Sequence, residues 1–215
     1  NALYFYNWTS GIHERQSQID SQAIMKCYFD SLDNSIWQYQ FADGLYKAFL
    51  TSAPAKKHII PVANYLAFQN GTLVLDTMKF QLHSPQYGTT NVIPHKYEPS
   101  AKCPIFDKTL AEIFANDTSM IDCFWEMFGY FLYYGTDYPL QKFFIFLGEG
   151  SNGKSLLLKV IRYTLGDTNC SGTRLEEISS SDFGASMFFG KMLNISPETE
   201  PQKAISTGLL KSVTG

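Results

Sequence analysis

Phe143-Phe144-Ile145-Phe146-Leu147, then Gly148-Glu149-Gly150-Ser151-Asn152-Gly153-Lys154-Ser155, then Leu156-Leu157-Leu158-Lys159-Val160-Ile161-Arg162 is the stretch whose reading decides the fold. Its middle eight residues read G-x-x-x-x-G-K-S, the pattern of a phosphate-binding P-loop. The apolar run ahead of them has the unbroken character of a parallel strand buried on both faces. Behind them, Leu157, Val160, Ile161 and Thr164 recur at helical spacing, with Lys159 and Arg162 turned outward. Strand, glycine-rich loop and helix thus follow one another in the order the motif requires. A glycine-rich turn that merely joins strand to helix is the plainer alternative, and the flanking pattern argues against it.

The residue types suit the chemistry. Gly148, Gly150 and Gly153 allow backbone conformations that would crowd a side chain, so successive N–H groups can face one concavity. The following helix adds the partial positive charge of its N-terminus. Lys154 is expected to reach the β- and γ-phosphates of ATP and Ser155 to place its hydroxyl on Mg²⁺. Ser151, Asn152 and Leu156 complete the expected nucleotide contacts.

Hydrolysis also needs an acid that positions Mg²⁺ or the attacking water, at the C-terminal end of a neighbouring apolar strand. Met192-Leu193-Asn194-Ile195-Ser196 is the candidate strand, and Glu198 just past it is the candidate acid and metal ligand. Glu200 is the reserve. Pro197 stands where the usual pair of adjacent acids would begin, so the partner that holds Mg²⁺ stays open.

Composition sets the frame. A chain of 215 residues with 45% hydrophobic and 17% charged residues is ordinary for a globular protein long enough to bury a real core. The net charge of −3 gives no electrostatic footprint for nucleic acid over the whole chain. Cys27, Cys103, Cys123 and Cys170 lie far apart, with no C-x-x-C pair and no histidine at ligand spacing. The plain reading is a reduced, intracellular (cytoplasmic) chain without structural zinc. No run approaches the roughly 18 apolar residues of a membrane span, and no secretion signal is evident. His13, His58, His83 and His95 form no ligand constellation and read as surface or hydrogen-bonded residues. The aromatic-rich first fifty residues read as core packing rather than a base-stacking platform, because no basic residues are interleaved.

Along the chain, 19–32 is amphipathic, with Ala23, Ile24, Cys27, Tyr28 and Leu32 as its stripe. Residues 34–50 are ambiguous: Trp37, Tyr39 and Phe41 alternate like a strand, whereas Leu45, Tyr46 and Phe49 fit a helix. Lys56-Lys57-His58 reads as loop. Residues 65–69, Asn70-Gly71 and 72–76 form a hairpin signal, Asn-Gly suiting the positive φ angles of a tight turn. Phe80–His83 is expected as a third strand and Asn91–Ile93 as a short edge strand before Pro94. Phe106, Leu110, Ile113 and Phe114 make one helical stripe. Ile121, Phe124, Trp125, Phe128, Phe131 and Leu132 make a second, with Asp117 or Thr118 as N-cap. After the P-loop helix, Gly166-Asp167 ends the element, Ser179–Asp182 is loop, and Phe183–Phe189 is a candidate short helix. The expected architecture is α/β: a mixed α+β region over 1–100, a helical connector over 101–141 and part of a P-loop NTPase core of the ASCE/AAA+-like kind over 142–215. Phe143–Leu147 and Met192–Ser196 are its expected neighbouring or near-neighbouring parallel strands.

Taken together, these segments resemble a known family. The loop 148–155 resembles that of superfamily 3 helicases in phage and plasmid primase–helicase proteins, and Gly190–Glu200 resembles their Walker B segment. Leu210–Gly215 resembles the opening of the next motif. Asn64–Gly71, His83-Ser84-Pro85 and Cys103-Pro104 resemble the preceding region, which is shared with poxvirus primase–helicases. The resemblance implies an ATP-driven DNA helicase, a homo-oligomeric (hexameric) ring working in replication of a mobile element. It carries Lys154 and Ser155 over as phosphate and Mg²⁺ ligands, Glu198 as the Walker B acid, and Lys211 as leading toward a DNA-contacting hairpin. It also implies that a polar sensor and an arginine finger follow Gly215 and that a primase domain precedes residue 1, which makes the chain a fragment with weak or no hydrolysis of its own. Two other readings stand beside it: a P-loop small-molecule kinase, and a module whose N-terminal half docks a primase or another replication protein.

Overall fold

The computed structural model describes residues 2–32, 37–52, 64–133, 142–174, 177 and 187–196. The fold is mixed α+β, with five α-helices and three small sheets among the described residues.

The chain opens on a hairpin, β1 (Leu3–Asn7) and β2 (Ile12–Gln16), antiparallel from Leu3 opposite Gln16 to Asn7 opposite Ile12. Asn7 closes the loop: its Oδ1 accepts from the Thr9 N–H at 2.8 Å and its carbonyl accepts from the Gly11 N–H at 2.8 Å. Gly11, at φ 72°, lies under the His83 ring, which a Cβ there would meet at 2.2 Å. The His13 N–H donates to the Thr89 carbonyl at 2.7 Å, so the hairpin docks on the 83–89 segment.

Helix α1 (Gln18–Leu32) follows the expected bounds, but its inner face is Ser21 and Met25 with half-buried Phe29. The stripe read from the sequence is one position out of phase; Ile24, Cys27, Tyr28 and Leu32 are exposed. Apolar residues occupy nearly every face of this helix, so periodicity alone does not fix which face packs. Residues Tyr39–Phe41 form a single 3₁₀ turn leading into α2 (Ala42–Ser52), so the helical reading of this region prevails over the strand one. The aromatic residues of the first fifty positions are not all core: Trp8 is 79% exposed, and Tyr28, Phe41 and Phe49 also face solvent.

The central sheet has the order β5-β4-β3-β6, from β3 (Tyr65–Phe68), β4 (Gly71–Val74), β5 (Lys79–Gln81) and β6 (Val92–Ile93). Phe68 pairs with Gly71, so Gln69 and Asn70 form the tight turn and not Asn70-Gly71. Neither takes a positive φ. Asn70 instead clasps the Tyr97 backbone, donating to its carbonyl at 3.1 Å and accepting from its N–H at 2.8 Å. Gly71 is required by closeness: a Cβ there would lie 2.5 Å from the Gln81 carbonyl oxygen. Strand β6 is the expected edge strand and pairs parallel with β3.

The main core is helical. Helix α3 (Pro104–Ile113) buries Leu110, and α4 (Thr118–Leu132) buries Phe124, Met127 and Phe131. Helix α5 (Lys154–Leu165) contributes Leu157, Ile161 and Leu165, the last two fully buried. Asp117 is the N-cap of α4, its carboxylate accepting from the Met120 N–H at 3.1 Å. Gly166, at φ 92°, ends α5 as expected, and its Cα packs on Pro94.

Asn169 joins core and sheet. It is only 3% exposed, and its amide donates to the carbonyls of Val92 at 2.7 Å and Leu165 at 2.8 Å while accepting from Asn91 at 2.9 Å. The far end of α5 is thereby fixed to the sheet edge, which leaves its N-terminus and the loop before it facing outward.

Two expectations about this region need correction. Phe143–Leu147 forms no strand among the described residues, and most of it is exposed, Leu147 by 86%. Its apolarity is met only in part: half-buried Phe146 packs against the helical core, and Phe144 packs edge-on against Phe131 at 5.4 Å and Tyr130 at 5.7 Å. The expected strand over 192–196 is reduced to β8 (Leu193–Asn194), which is half-buried. Its partner is not 143–147 but β7 (Cys170–Ser171), in parallel register with Cys170 opposite Leu193. A strand forms only where a partner satisfies its backbone groups, and β7 supplies one here whereas no described segment does for 143–147. Residues 56–58, 179–182 and most of 183–189 lie outside the described residues; Met187 and Phe188 carry a 3₁₀ turn.

Candidate phosphate-binding site

Residues 148–153 form a tight loop that runs directly into α5. Gly153 is the N-cap of that helix at φ 86°, a left-handed conformation that costs a side-chain-bearing residue roughly 1–2 kcal/mol. Ser151 takes φ 62° without being glycine, a strained backbone of the kind concentrated at ligand sites. Gly148 stands at φ 157°, and a Cβ on it would come within 2.0 Å of the Asn152 amide nitrogen. Gly150 is different: nothing lies within 4 Å of the space a Cβ would fill, and its φ is not positive, so the fold does not demand glycine there.

The N–H groups of Gly150, Ser151, Asn152 and Gly153 make no backbone hydrogen bond among the described residues. The Gly153 carbonyl begins the helical ladder, accepting from Leu156 and Leu157, both at 3.0 Å. A run of free donors beside a helix N-terminus is an anion-attracting arrangement.

Lys154, the first residue of α5, folds its side chain back across the loop. Its ammonium donates to the carbonyl oxygens of Gly148 at 2.7 Å and Glu149 at 2.8 Å, and to Asn152 Oδ1 at 2.8 Å. These three bonds use all three donors of the group. The cation is therefore held over the same loop whose N–H groups are open. Ser155 is exposed beside it, its hydroxyl without a protein hydrogen bond among the described residues, and Leu156 is 46% exposed.

The rear of the loop rests on α3. A Cβ on Gly153 would meet Ile113 Cδ1 at 2.6 Å and Cγ1 at 2.7 Å, so the glycine is also required by this close seat. That contact was not legible in the sequence, since nothing in either segment announces the other.

Glu198, Glu200 and Lys211 lie outside the described residues. Among the described residues no three metal-ligating side chains converge. His83 and His95 are hydrogen-bonded, to Thr72 Oγ1 and to the Tyr163 carbonyl, each at 3.0 Å. Cys27, Cys103 and Cys123 are exposed thiols and Cys170 a buried one. Burial pushes the Cys170 thiol up from its ordinary value. No helix among the described residues is long and apolar enough to cross a membrane.

Comparison with known proteins bears on the region upstream of the loop. Residues 54–115 match the family model described as D5 N terminal like. The matched stretch spans the central sheet and α3. It holds Asn64–Gly71, His83-Ser84-Pro85 and Cys103-Pro104, the segments whose resemblance to primase–helicase proteins was read from the sequence. This part of the chain is therefore similar to the N-terminal region of D5-like primase–helicases, a phage and viral replication class. The loop 148–155 lies downstream of the match. No curated protein matches the chain.

Proposed function

We propose that this chain binds Mg-ATP through residues 148–155, as the nucleotide-binding part of a phage- or plasmid-type primase–helicase. One observation carries the reading: open N–H groups at the N-terminus of α5, with the Lys154 ammonium held over the same loop. The match of 54–115 to a primase–helicase region supports the biological class.

The residues present fit a polyphosphate. Donors from Gly150 to Gly153 would take phosphate oxygens, and Lys154 would exchange its bond to Asn152 for one to the β- or γ-phosphate. Ser155 would hold Mg²⁺, which when bound neutralises charge on those oxygens. Glu198 is proposed as the acid that orients water. DNA unwinding in replication by a hexameric ring, inside the cell, is the proposed setting, with a primase or other replication protein as partner.

The test is calorimetric titration of Mg-ATP into the chain and into Lys154→Ala. Saturable binding that the substitution weakens by about a hundredfold or more is expected, since a charge-assisted bond to phosphate is lost. Equal binding by both proteins would overturn the assignment, and a phosphorylated small-molecule product would replace it with a kinase. The exposed Trp8, Tyr28, Phe41 and Phe49 favour a second role, docking of a replication partner by the N-terminal half. Such docking would survive Lys154→Ala.

A further inference from the structure

Between the first turns of α3 and the first turns of α5 lies an open groove of about 440 Å³. Its walls are mainly two facing pairs, each spaced four residues apart and so on one side of its helix: Ile105 and Thr109 on α3, Leu156 and Val160 on α5. Phe106 adds an aromatic wall, and Lys102 is the one charged residue of the lining, which contains no carboxylate. The Thr109 hydroxyl donates to the Ile105 carbonyl at 2.8 Å, so it is spent within its own helix and the surface it leaves is apolar.

The position of the groove is set by the contact at the rear of the loop. Ile113 abuts Gly153, and Thr109 and Ile105 follow it on the same face of α3, one and two turns back. On α5, Leu156 and Val160 follow Lys154 at two and six residues, so the groove lies beside the helix from about 3 to about 9 Å beyond Lys154. A triphosphate seated at the helix N-terminus would thus have an apolar slot of ligand-sized volume within reach of the remainder of the molecule.

We infer that this groove is the nucleobase subsite: the base of a nucleoside triphosphate lies between Ile105 and Thr109 on one side and Leu156 and Val160 on the other, beside Phe106. The inference rests on the phosphate reading of residues 148–155. Nearness to the loop along α5, apolar walls, an aromatic ring and the absence of a carboxylate all suit a flat, weakly polar base attached to an anionic chain.

The experiment separates base from phosphate. Mg-ATP and Mg-tripolyphosphate are titrated into the chain, into Thr109→Trp, which fills the groove, and into Ile105→Ala, which shaves an exposed part of its wall. In the unaltered chain Mg-ATP binds at least about tenfold tighter than Mg-tripolyphosphate, the base accounting for the difference. Thr109→Trp reduces Mg-ATP affinity to that of tripolyphosphate and leaves tripolyphosphate unchanged. Ile105→Ala weakens Mg-ATP alone by about threefold, and it decides the matter if Thr109→Trp does not fold. Unaltered Mg-ATP affinity in the variants that fold would overturn the groove assignment and leave the phosphate site standing. Binding of neither ligand to the unaltered chain would overturn both.

Discussion

Gly153→Ala tests how the loop is held on the helical core. Two penalties arise at this position. The φ of 86° places alanine in the left-handed region, at roughly 1–2 kcal/mol. The new methyl also meets Ile113 at 2.6 and 2.7 Å, well inside contact distance, and overpacking of this kind costs about 1–3 kcal/mol. Loss of glycine's freedom in the unfolded chain returns about 0.4–1 kcal/mol. The expected net destabilisation is about 2–4 kcal/mol. Ile113→Ala alone costs about 1–2 kcal/mol, less than a fully buried isoleucine because Ile113 is half-buried. In the double variant the obstructing atoms are gone, so only the backbone strain remains. The two changes together are then less harmful than their sum by about 1–3 kcal/mol. Urea unfolding of the four proteins, read by linear extrapolation, gives the cycle directly. Additivity within about 0.5 kcal/mol would show that the glycine does not sit against Ile113, and the account of how α3 supports the loop would fail.

Two further outcomes follow from the packing. Asn169→Ala removes the donor from two backbone carbonyls and the acceptor from Asn91 at a nearly fully buried point, and should cost about 2–4 kcal/mol by the same unfolding assay. A loss below about 0.5 kcal/mol would mean that the helical core and the sheet are not joined there. Thiol alkylation near neutral pH, followed by peptide mass analysis, should modify exposed Cys27 and Cys123 first and Cys170 last, at the rate of unfolding. Burial both shields Cys170 and holds its thiol in the unreactive protonated form, so early labelling of Cys170 would contradict the packing of β7.

Where apolar residues fell on one stripe, the sequence was informative. The spacing in α3, α4 and α5 located three helices, and Asp117 marked the start of one of them. Where apolar residues fell on every face, as in α1, the helix was legible but its buried side was not. The opening hairpin passed unnoticed because Leu3-Tyr4-Phe5-Tyr6 does not alternate; Asn7 and Gly11 were its only signals. Asn70-Gly71 announced the central hairpin for a different reason from the one that operates. The turn is one residue earlier, the asparagine holds Tyr97, and the glycine admits Gln81.

Phe143–Leu147 shows a sharper limit. An apolar run reports that a segment can be buried between strands, but strand formation needs partners, and none of the described segments pairs with it. The loop and the helix after it were readable because their pattern is local: Gly153 takes a left-handed N-cap conformation and Lys154 opens α5. Its seat on Ile113 and the groove beyond depend on two helices meeting, which local sequence does not encode.

The most direct test of the central claim is an amide-resolved NMR titration of the isotopically labelled chain with Mg-ATP. The account predicts that the largest shifts fall on the N–H signals of residues 150–155 and vanish in Lys154→Ala. Shifts centred elsewhere, or none at saturating nucleotide, would contradict it.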